Sequence, residues 1–349
     1  MSLLGKIKFL SLRKKVLKKH SEYLKNGNYV GDSRAKSFCL ASNERAINFC
    51  KNNLKRKYKK DLIGRVLLNK KIRSKNKLFS GELIVLGNST VNDMPSSVKI
   101  FDFSKSAVLT VYHDDNKFNL DHNARLQFEK ELPLVPLIQV DTERKFIEEE
   151  MIFSKPISSL EGKEYEKIFN KIMGCYQNYF NSNATEKAVS VGDMISDSKD
   201  GGLDSKLESA LLSSLIKISD QKIPVRRLHG DFTFDNILIK ENEIYFIDFE
   251  HFGDYVFFYD VFWLMQNEYV YAKNKTLLSG YFAGKFDKEF DKLFKSVNLT
   301  FNPELREQYY CIFVLETFNK RIRYIKEKQQ VFDYQLDIIN THRAGNNNE

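Results

Sequence analysis

The sequence predicts an α+β chain of two bodies, a small β-rich one followed by a mainly helical one, behind a basic and mostly helical extension. Three observations carry this reading. Over residues 78–153 short apolar runs alternate at a period of two, with a single helical stretch among them. Beyond Ser154-Lys155-Pro156, which reads as a hinge, the apolar spacing turns helical over 162–180, 203–219, 256–284 and 303–327. Charge divides the chain too: residues 1–80 hold 23 basic and 4 acidic side chains, whereas the other 269 hold 32 and 42. The expected organisation is an extension over 1–77, a β-rich body over 78–155 and a helical body over 156–349.

With 349 residues and 42% hydrophobic composition the chain can bury a sizeable core, which excludes general disorder. Lys6, Lys8 and Arg13 interrupt the start, so no apolar run of signal-peptide length stands there. The most apolar later run, 255–265, is too short to span a bilayer and is broken by Asp260. Cys39, Cys50, Cys175 and Cys311 lie far apart with no CxxC pair, so neither a disulfide framework nor a structural zinc site is indicated. A reducing, cytoplasmic setting is the simplest expectation.

In the extension, polar turns are expected at Asn26-Gly27-Asn28 and at Gly31-Asp32, and 51–60 is the densest block of charge. Wound as a helix, residues 3–19 put Leu3, Ile7, Leu10 and Leu17 on one side. Lys14 and Lys18 fall among them, however, and Phe9, Leu12 and Val16 lie opposite. That is a poor membrane helix. A solvated or core-docked basic helix is the first reading, and an anionic surface at the inner membrane face is a second, on charge alone. No nucleic-acid module accompanies the charge.

In the β-rich body, 82–86, 98–103 and 108–112 read as strands, with Gly87-Asn88-Ser89 and Ser104-Lys105-Ser106 as turns. A helix over 120–132 carries Glu129 and Glu131, and two strands follow over 135–140 and 146–153. In the helical body, 186–206 is rich in Ser, Asp and Gly and reads as a loop, while 344–349 is expected to fray. One β-rich segment, 225–249, is embedded between the helices.

That segment carries the chemistry. Leu228-His229-Gly230-Asp231 leaves a short strand for a tight turn. Asn236 stands five residues after Asp231, just before the strand 237–239. A polar turn over 240–243 leads into a second strand that ends at Asp248. Such a hairpin can bring Asp231, Asn236 and Asp248 to one end of its strands. Two carboxylates and an amide oxygen suit Mg²⁺, a hard cation that completes its shell with water and phosphate oxygens. A carboxylate held off the metal can accept the proton of a hydroxyl nucleophile. The bland alternative is a hairpin whose polar residues merely cap turns, the role assigned to Asp235.

His-Gly-Asp, four residues, Asn, and then Ile-Asp-Phe-Glu resembles the catalytic hairpin of the aminoglycoside phosphotransferase and choline kinase-like family. This is the small-molecule branch of the protein-kinase-like fold, and its loop is similar to the H-R-D-x-x-x-x-N loop of protein kinases. The resemblance implies a two-lobe architecture and an ATP- and Mg²⁺-dependent kinase acting on a hydroxyl. Asp231 would be the catalytic base, braced by His229, with Gly230 where protein kinases have Arg. Asn236 and Asp248 would hold magnesium. Asp260, twelve residues after Asp248, resembles the family's second aspartate, which stabilises the loop. The match is direct over 225–260, and the element order extends it to roughly 78–330.

The chain departs from the pattern in its β-rich body. The fold expects a lysine on the third strand, paired with a glutamate on the next helix, to hold the α- and β-phosphates. That lysine column falls on Thr110, which carries no charge. Lys99 on the preceding strand can substitute or be an ordinary exposed strand residue, and Glu129 is preferred over Glu131 as its partner. The phosphate-covering loop, 87–97, has one glycine. Met151, Ile152 and Phe153 resemble the end of the fifth strand, where backbone groups meet the purine edge and apolar neighbours sandwich the ring.

Three functions stay open at this level. The first is a phosphotransferase acting on a small molecule or a glycan precursor, with a sugar or polysaccharide-precursor kinase ahead of aminoglycoside or choline-type acceptors. The second, raised by Thr110, is a catalytically silent kinase-like binding module. The third, a protein kinase, is disfavoured because Glu250 stands where D-F-G has its glycine and no A-P-E follows.

Overall fold

The computed structural model describes residues 15–32, 37–53, 70–74, 77–87, 89–92, 94–155, 160, 162–183, 187–198, 202–322 and 329–346. The chain forms two compact units. One comprises 1–127, 134–156 and 238–245; the other comprises 128–133, 157–237 and 246–349.

The first unit is built on an eight-stranded sheet. In chain order come β1 (Gly27–Asp32), β2 (Ser37–Leu40), α1 (Glu44–Asn53), β3 (Lys70–Ile72) and β4 (Leu83–Leu86). A two-stranded ribbon of β5 (Thr90–Val91) and β6 (Met94–Pro95) follows. Then come β7 (Ser97–Asp102), β8 (Ala107–Tyr112), α2 (Asp115–Phe128), β9 (Leu137–Asp141) and β10 (Phe146–Glu150). The strand order is β3-β1-β2-β4-β7-β8-β10-β9, and every neighbouring pair is antiparallel.

Register fixes what each face carries. Val85, Lys99, Thr110, Ile147 and Val140 are successive cross-strand partners, so they form one row on one face. Ile84, Ile100 and Leu109 form a row on the other face, where Val16, Leu17 and Leu24 help bury them in the larger core. The first face is covered by helices. Phe118 of α2 packs with Tyr112 and Ile147. Ala46, Phe49 and Cys50 of α1 pack with Leu83, Phe101, Phe103, Val108 and Met151.

The structure corrects the helical reading of the extension. Residues 27–32, 37–40 and 70–72 are strands of the same sheet as β4 and β7, so the glycines read as turns lie within or beside a paired strand. Burial explains the override. Tyr29, Phe38 and Leu40 enter the core, and the Tyr29 hydroxyl donates to the Gly81 carbonyl at 2.6 Å. Strand pairing supplied by distant residues outweighs local turn preference. Most of 3–19 and of 51–60 lies outside the described residues.

The helix expected over 120–132 is also displaced. Asp114 accepts the Asn116 N–H at 3.0 Å and starts α2 early, and the helix ends at Phe128. Glu129 and Glu131 therefore lie beyond it, in the turn before Pro133. The ion pair between α2 and the sheet runs the other way round, with Arg125 on the helix and Glu149 on β10.

The second unit is mainly helical: α3 (Lys163–Ser182), α4 (Val191–Ser198), α5 (Ser205–Leu215), α6 (Tyr259–Asn267), α7 (Thr276–Phe282), α8 (Asp287–Lys295), α9 (Arg306–Lys320) and α10 (Gln329–Asn346). β11 (Ala188–Ser190), β12 (Lys222–Leu228) and β15 (Gly253–Val256) form an antiparallel sheet in the order β11-β12-β15. Between β12 and β15 the chain runs through the hairpin of β13 (Ile237–Lys240) and β14 (Glu243–Phe246), whose residues 238–245 belong to the first unit. Helix α9 is the core, with every side chain from 309 to 318 buried. Phe262 of α6 meets Tyr281, Tyr310 and Phe313 at ring distances of 4.9, 5.9 and 5.7 Å.

Three expected spans change here. The supposed loop over 186–206 contains β11 and α4, because Val191, Met194 and Ile195 are spaced to bury one helical face. The helix expected over 256–284 is split between α6 and α7 by a π-turn, Glu268–Ala272, and by left-handed Lys273. The C-terminal helix continues to Asn346 rather than fraying at 344.

A pH dependence follows from the first unit. His20 is buried and its ring nitrogen lies 3.0 Å from that of His113, so burial, and then His113, push its pKa down from 6.5 to about 3. The unfolded chain takes up this proton near pH 6.5, and the folded chain refuses it until about pH 3. This stabilisation is intact above pH 6.5 and is lost as the pH falls, with a slope of up to about 1.4 kcal/mol per pH unit. Urea unfolding across this range should show the slope, and His20→Asn should flatten it. An equal slope in that variant would exclude His20 as its source.

Candidate active site

Strand β12 ends at Leu228, and the chain turns through His229, Gly230 and Asp231. Gly230 adopts φ +77°, and a Cβ there would stand 2.1 Å from the His251 carbonyl oxygen and 2.7 Å from the Tyr255 hydroxyl. Only glycine fits. This is the physical reason why no arginine occupies the middle of the His-x-Asp loop.

The loop hangs on Asp260, which α6 places beneath it and which is fully buried. Its Oδ1 accepts the Gly230 N–H at 2.9 Å, and its Oδ2 accepts the His229 N–H at 2.9 Å and the Tyr176 hydroxyl at 2.6 Å. Burial pushes the Asp260 carboxyl up, while His229, Tyr176 and the two loop amides oppose that shift. An acid so enclosed braces the loop and is shut off from any reactant.

His229 is buried as well. Its Nδ1 accepts the Asp231 N–H at 3.3 Å, so Nε2 carries the proton and donates to the Ile247 carbonyl at 2.8 Å. The ring thereby ties the loop to the residue before Asp248, and Phe249 lies against it at 4.5 Å. Asn236 closes the arrangement. Its Nδ2 donates to the Asp231 carbonyl at 2.8 Å, and its own carbonyl accepts the Ile247 N–H at 3.1 Å. Committing Nδ2 to the loop leaves Oδ1 as the amide atom able to meet a cation. Asp248 follows with φ +70°, a left-handed conformation that costs a non-glycine residue roughly 1–3 kcal/mol. Asp231 is thus tied to Asn236 by the Asn236 side chain, and Asn236 to Ile247, the residue before Asp248, through the backbone, all within one unit. Their oxygens fit a hard divalent cation that keeps some waters and takes phosphate oxygens as further ligands.

Sequence reasoning missed one member. Arg321, just past α9, donates through one nitrogen (Nη1) to both the Gly230 carbonyl at 2.8 Å and Asp231 Oδ1 at 2.9 Å. Its guanidinium lies over the Trp263 ring, 4.2 Å from the centroid. Ninety residues separate Arg321 from Asp231. The one local hint was negative, a glycine where protein kinases have an arginine.

The expected nucleotide residues of the first unit are placed as follows. Lys99 and Thr110 are direct cross-strand partners, so their side chains share a face. Thr110 is buried and Lys99 is half-buried. Met151 is buried against α1, and the Arg45 guanidinium lies 4.9 Å from the centre of the Phe153 ring. Ile152 is buried between them in sequence. Glu129 is off its helix and gains no support as the partner of a strand lysine. Cys39 on β2 and Cys50 on α1 are not disulfide-bonded, and the Cys39 thiol donates to the Cys50 sulfur at 3.0 Å.

Residues 193–294 match the phosphotransferase enzyme family known as APH, a span that includes the His-Gly-Asp loop, Asn236, Asp248 and Asp260. Among solved structures the chain is similar to the choline kinase LicA from Streptococcus pneumoniae, at 14% identity and a TM-score of 0.43, covering 75% of this chain and 92% of that one. It is also similar to a putative aminoglycoside phosphotransferase from Ralstonia eutropha, at 11% identity and a TM-score of 0.47, over 76% and 93% of the two chains. A third likeness is to a thermostable mutant of aminoglycoside phosphotransferase APH(4)-Ia crystallised with AMP-PNP and hygromycin B, at 14% identity and a TM-score of 0.48, over 71% and 90%. A comparison with curated proteins finds no match. The matched segment is that of a phosphotransferase acting on hydroxyl groups. Enzymes of this class take the phosphoryl group from ATP and work with a divalent metal such as Mg²⁺.

Proposed function

We propose that the protein transfers the γ-phosphoryl group of ATP to a hydroxyl of a small molecule or glycan precursor, with Asp231 as the base. The observation that carries this reading is the shared anchoring of Asp231, Asn236 and the segment entering Asp248. Asp231 is partly exposed, with 27% of its side chain accessible, so an acceptor can reach it. Its carboxylate takes the hydroxyl proton as the acceptor oxygen attacks the γ-phosphorus, and ADP leaves with the bridging oxygen and its electron pair. Asn236 and Asp248 would hold Mg²⁺, which supplies charge neutralisation at the phosphates.

In the first unit, Lys99 is our candidate for the cation that Thr110 cannot supply, since cross-strand pairing puts both on one face. Met151, Ile152 and Phe153 remain the proposed purine-side residues. The positive excess of residues 1–80 supports an acceptor presented at an anionic surface, which favours a glycan or polysaccharide precursor over a free cation.

Two measurements test the reading. Thermal unfolding should rise by several degrees with Mg²⁺-ATP in wild type and not in Asp248→Ala, while Asp231→Asn should lose about 10²–10⁴-fold in turnover with its fold intact. Full turnover in Asp231→Asn would remove it as the base. For the surface, the full chain should float with acidic-lipid vesicles and fail to float with neutral ones. Equal behaviour on both would leave the basic region without this role.

A further inference from the structure

The loop that carries Asp231 is pinned from two sides by groups of opposite charge. Beneath it, Asp260 holds the amides of His229 and Gly230. From the other side, Arg321 holds the Gly230 carbonyl and one oxygen of Asp231. Arg321 is itself held. Its own N–H donates to the Thr317 carbonyl at 3.0 Å at the end of helix α9, whose residues 309–318 are buried, and its guanidinium stacks on Trp263. Trp263 in turn stacks with Tyr259, and Tyr259 with Tyr255, at interplanar angles of 13° and 24°. Tyr255 completes the circuit by donating to the His251 carbonyl, the same atom that excludes any side chain at Gly230.

We propose that Arg321 is the positioning residue for Asp231 and sets the charge of the acceptor side of the site, so that the acceptor is an uncharged or anionic polyol rather than a cation. The inference rests on the phosphotransferase reading and adds the acceptor class to it. With Oδ1 bound to Arg321, Oδ2 is the carboxylate oxygen left for the acceptor hydroxyl, and the contact opposes rotation of the carboxylate. The guanidinium offsets the negative charge of Asp231 in a 2.9 Å ion pair, so the base no longer attracts an ammonium group beside the reacting hydroxyl, and an uncharged or anionic neighbour is tolerated there. Arginine serves this double role better than lysine because the two N–H groups of Nη1 meet a carbonyl and a carboxylate while the planar guanidinium stacks on an indole, which an ammonium cannot do.

The test uses the full chain with Mg²⁺-ATP and measures ADP release with choline and kanamycin as cationic acceptors, N-acetylglucosamine as an uncharged one and glucuronate as an anionic one. Wild type should turn over the uncharged or anionic compounds and discriminate against the cations. Arg321→Gln should lower kcat by about 10²-fold with KM for ATP unchanged, since misplacing a catalytic group by about 1 Å costs that much. It should also reduce the discrimination against cations, and Arg321→Lys should recover the discrimination more fully than the kcat. A wild-type preference for cations, or Arg321→Gln with unchanged kcat and preference, would overturn the proposal. If Arg321→Gln does not fold, the wild-type panel alone still decides the charge preference. If wild type releases no ADP that Asp248→Ala abolishes, the phosphotransferase reading itself fails and takes this inference with it.

In the first unit, α1 lies on the sheet face that carries Lys99 and Thr110. Phe49 meets Phe101 and Phe103 at 5.3 and 5.4 Å, Ala46 and Cys50 are buried with Met151, and Arg45 donates to the Phe103 carbonyl at 3.3 Å. Met151 and Phe153 are the proposed purine-side residues, and both are already packed by this helix. We infer, on the same ATP reading, that α1 is a displaceable cover over the purine face, and that nucleotide competes with it. Hydrogen exchange on the full chain should show the amides of 44–53 losing protection when Mg²⁺-ATP is added. Phe49→Ala should tighten nucleotide binding, because the competent state is then more populated. Unchanged exchange in 44–53, under conditions where Mg²⁺-ATP raises the melting temperature, would overturn the cover. No rise in melting temperature at all would instead sink the ATP reading and the cover together.

Discussion

The buried carboxylate of Asp260 is the constraint on which the loop from His229 to Asp231 depends. A carboxylate removed from water must have its lone pairs met, and here three donors meet them, two loop amides and the Tyr176 hydroxyl. The two amides point at one carboxylate only if Gly230 takes a left-handed conformation. That conformation, in turn, presents the Gly230 carbonyl and the Asp231 side chain to Arg321. Helix α6 supplies Asp260 and Trp263, four residues or fewer apart, so one element anchors the loop from below and stacks on the arginine that holds it from the side. The aromatic packing of Phe262 between them in the core makes this spacing rigid.

The first unit resolves a similar problem of charge differently. Where a strand lysine and a helix glutamate were expected, the buried position is Thr110 and the ion pair is Arg125 with Glu149. Arg125 also donates to the Val135 carbonyl at 3.0 Å, so the pair joins α2 to the segment leading into β9 as well as to β10. The same face bears α1, whose aromatic contacts with β7 and Phe103 use apolar surface that the row of Val85, Lys99 and Thr110 borders. Strands β1 to β3 extend the sheet on its far side and carry α1 into place. The basic segment of residues 1–80 is therefore structural in its described part as well as charged.

Local patterns were legible where a short-range rule governs them. The strands of 82–86, 98–103 and 108–112 followed from alternation, and each lies within a residue or so of its place. The His-Gly-Asp loop, Asn236 and Asp248 were readable because they belong to one continuous segment whose strands and turn fix their separation. Glu129 was misplaced because helix ends depend on a cap, and Asp114 started the helix earlier than its apolar pattern did. The strands at 27–32 and 37–40 were missed because their partners stand elsewhere, and glycines suggest turns until a neighbouring strand pairs with them.

By itself, the sequence determined the α+β class, the hairpin that carries His229, Asp231, Asn236 and Asp248, and its resemblance to a phosphotransferase, since each rests on residues close in the chain. Only the tertiary structure decided what surrounds them. It brought Arg321 to Asp231 across ninety residues, placed Cys39 beside Cys50, and set α1 against Met151. The physical reason is that such contacts are selected by burial and by pairing of charge between elements, and neither leaves a periodic trace in either element alone.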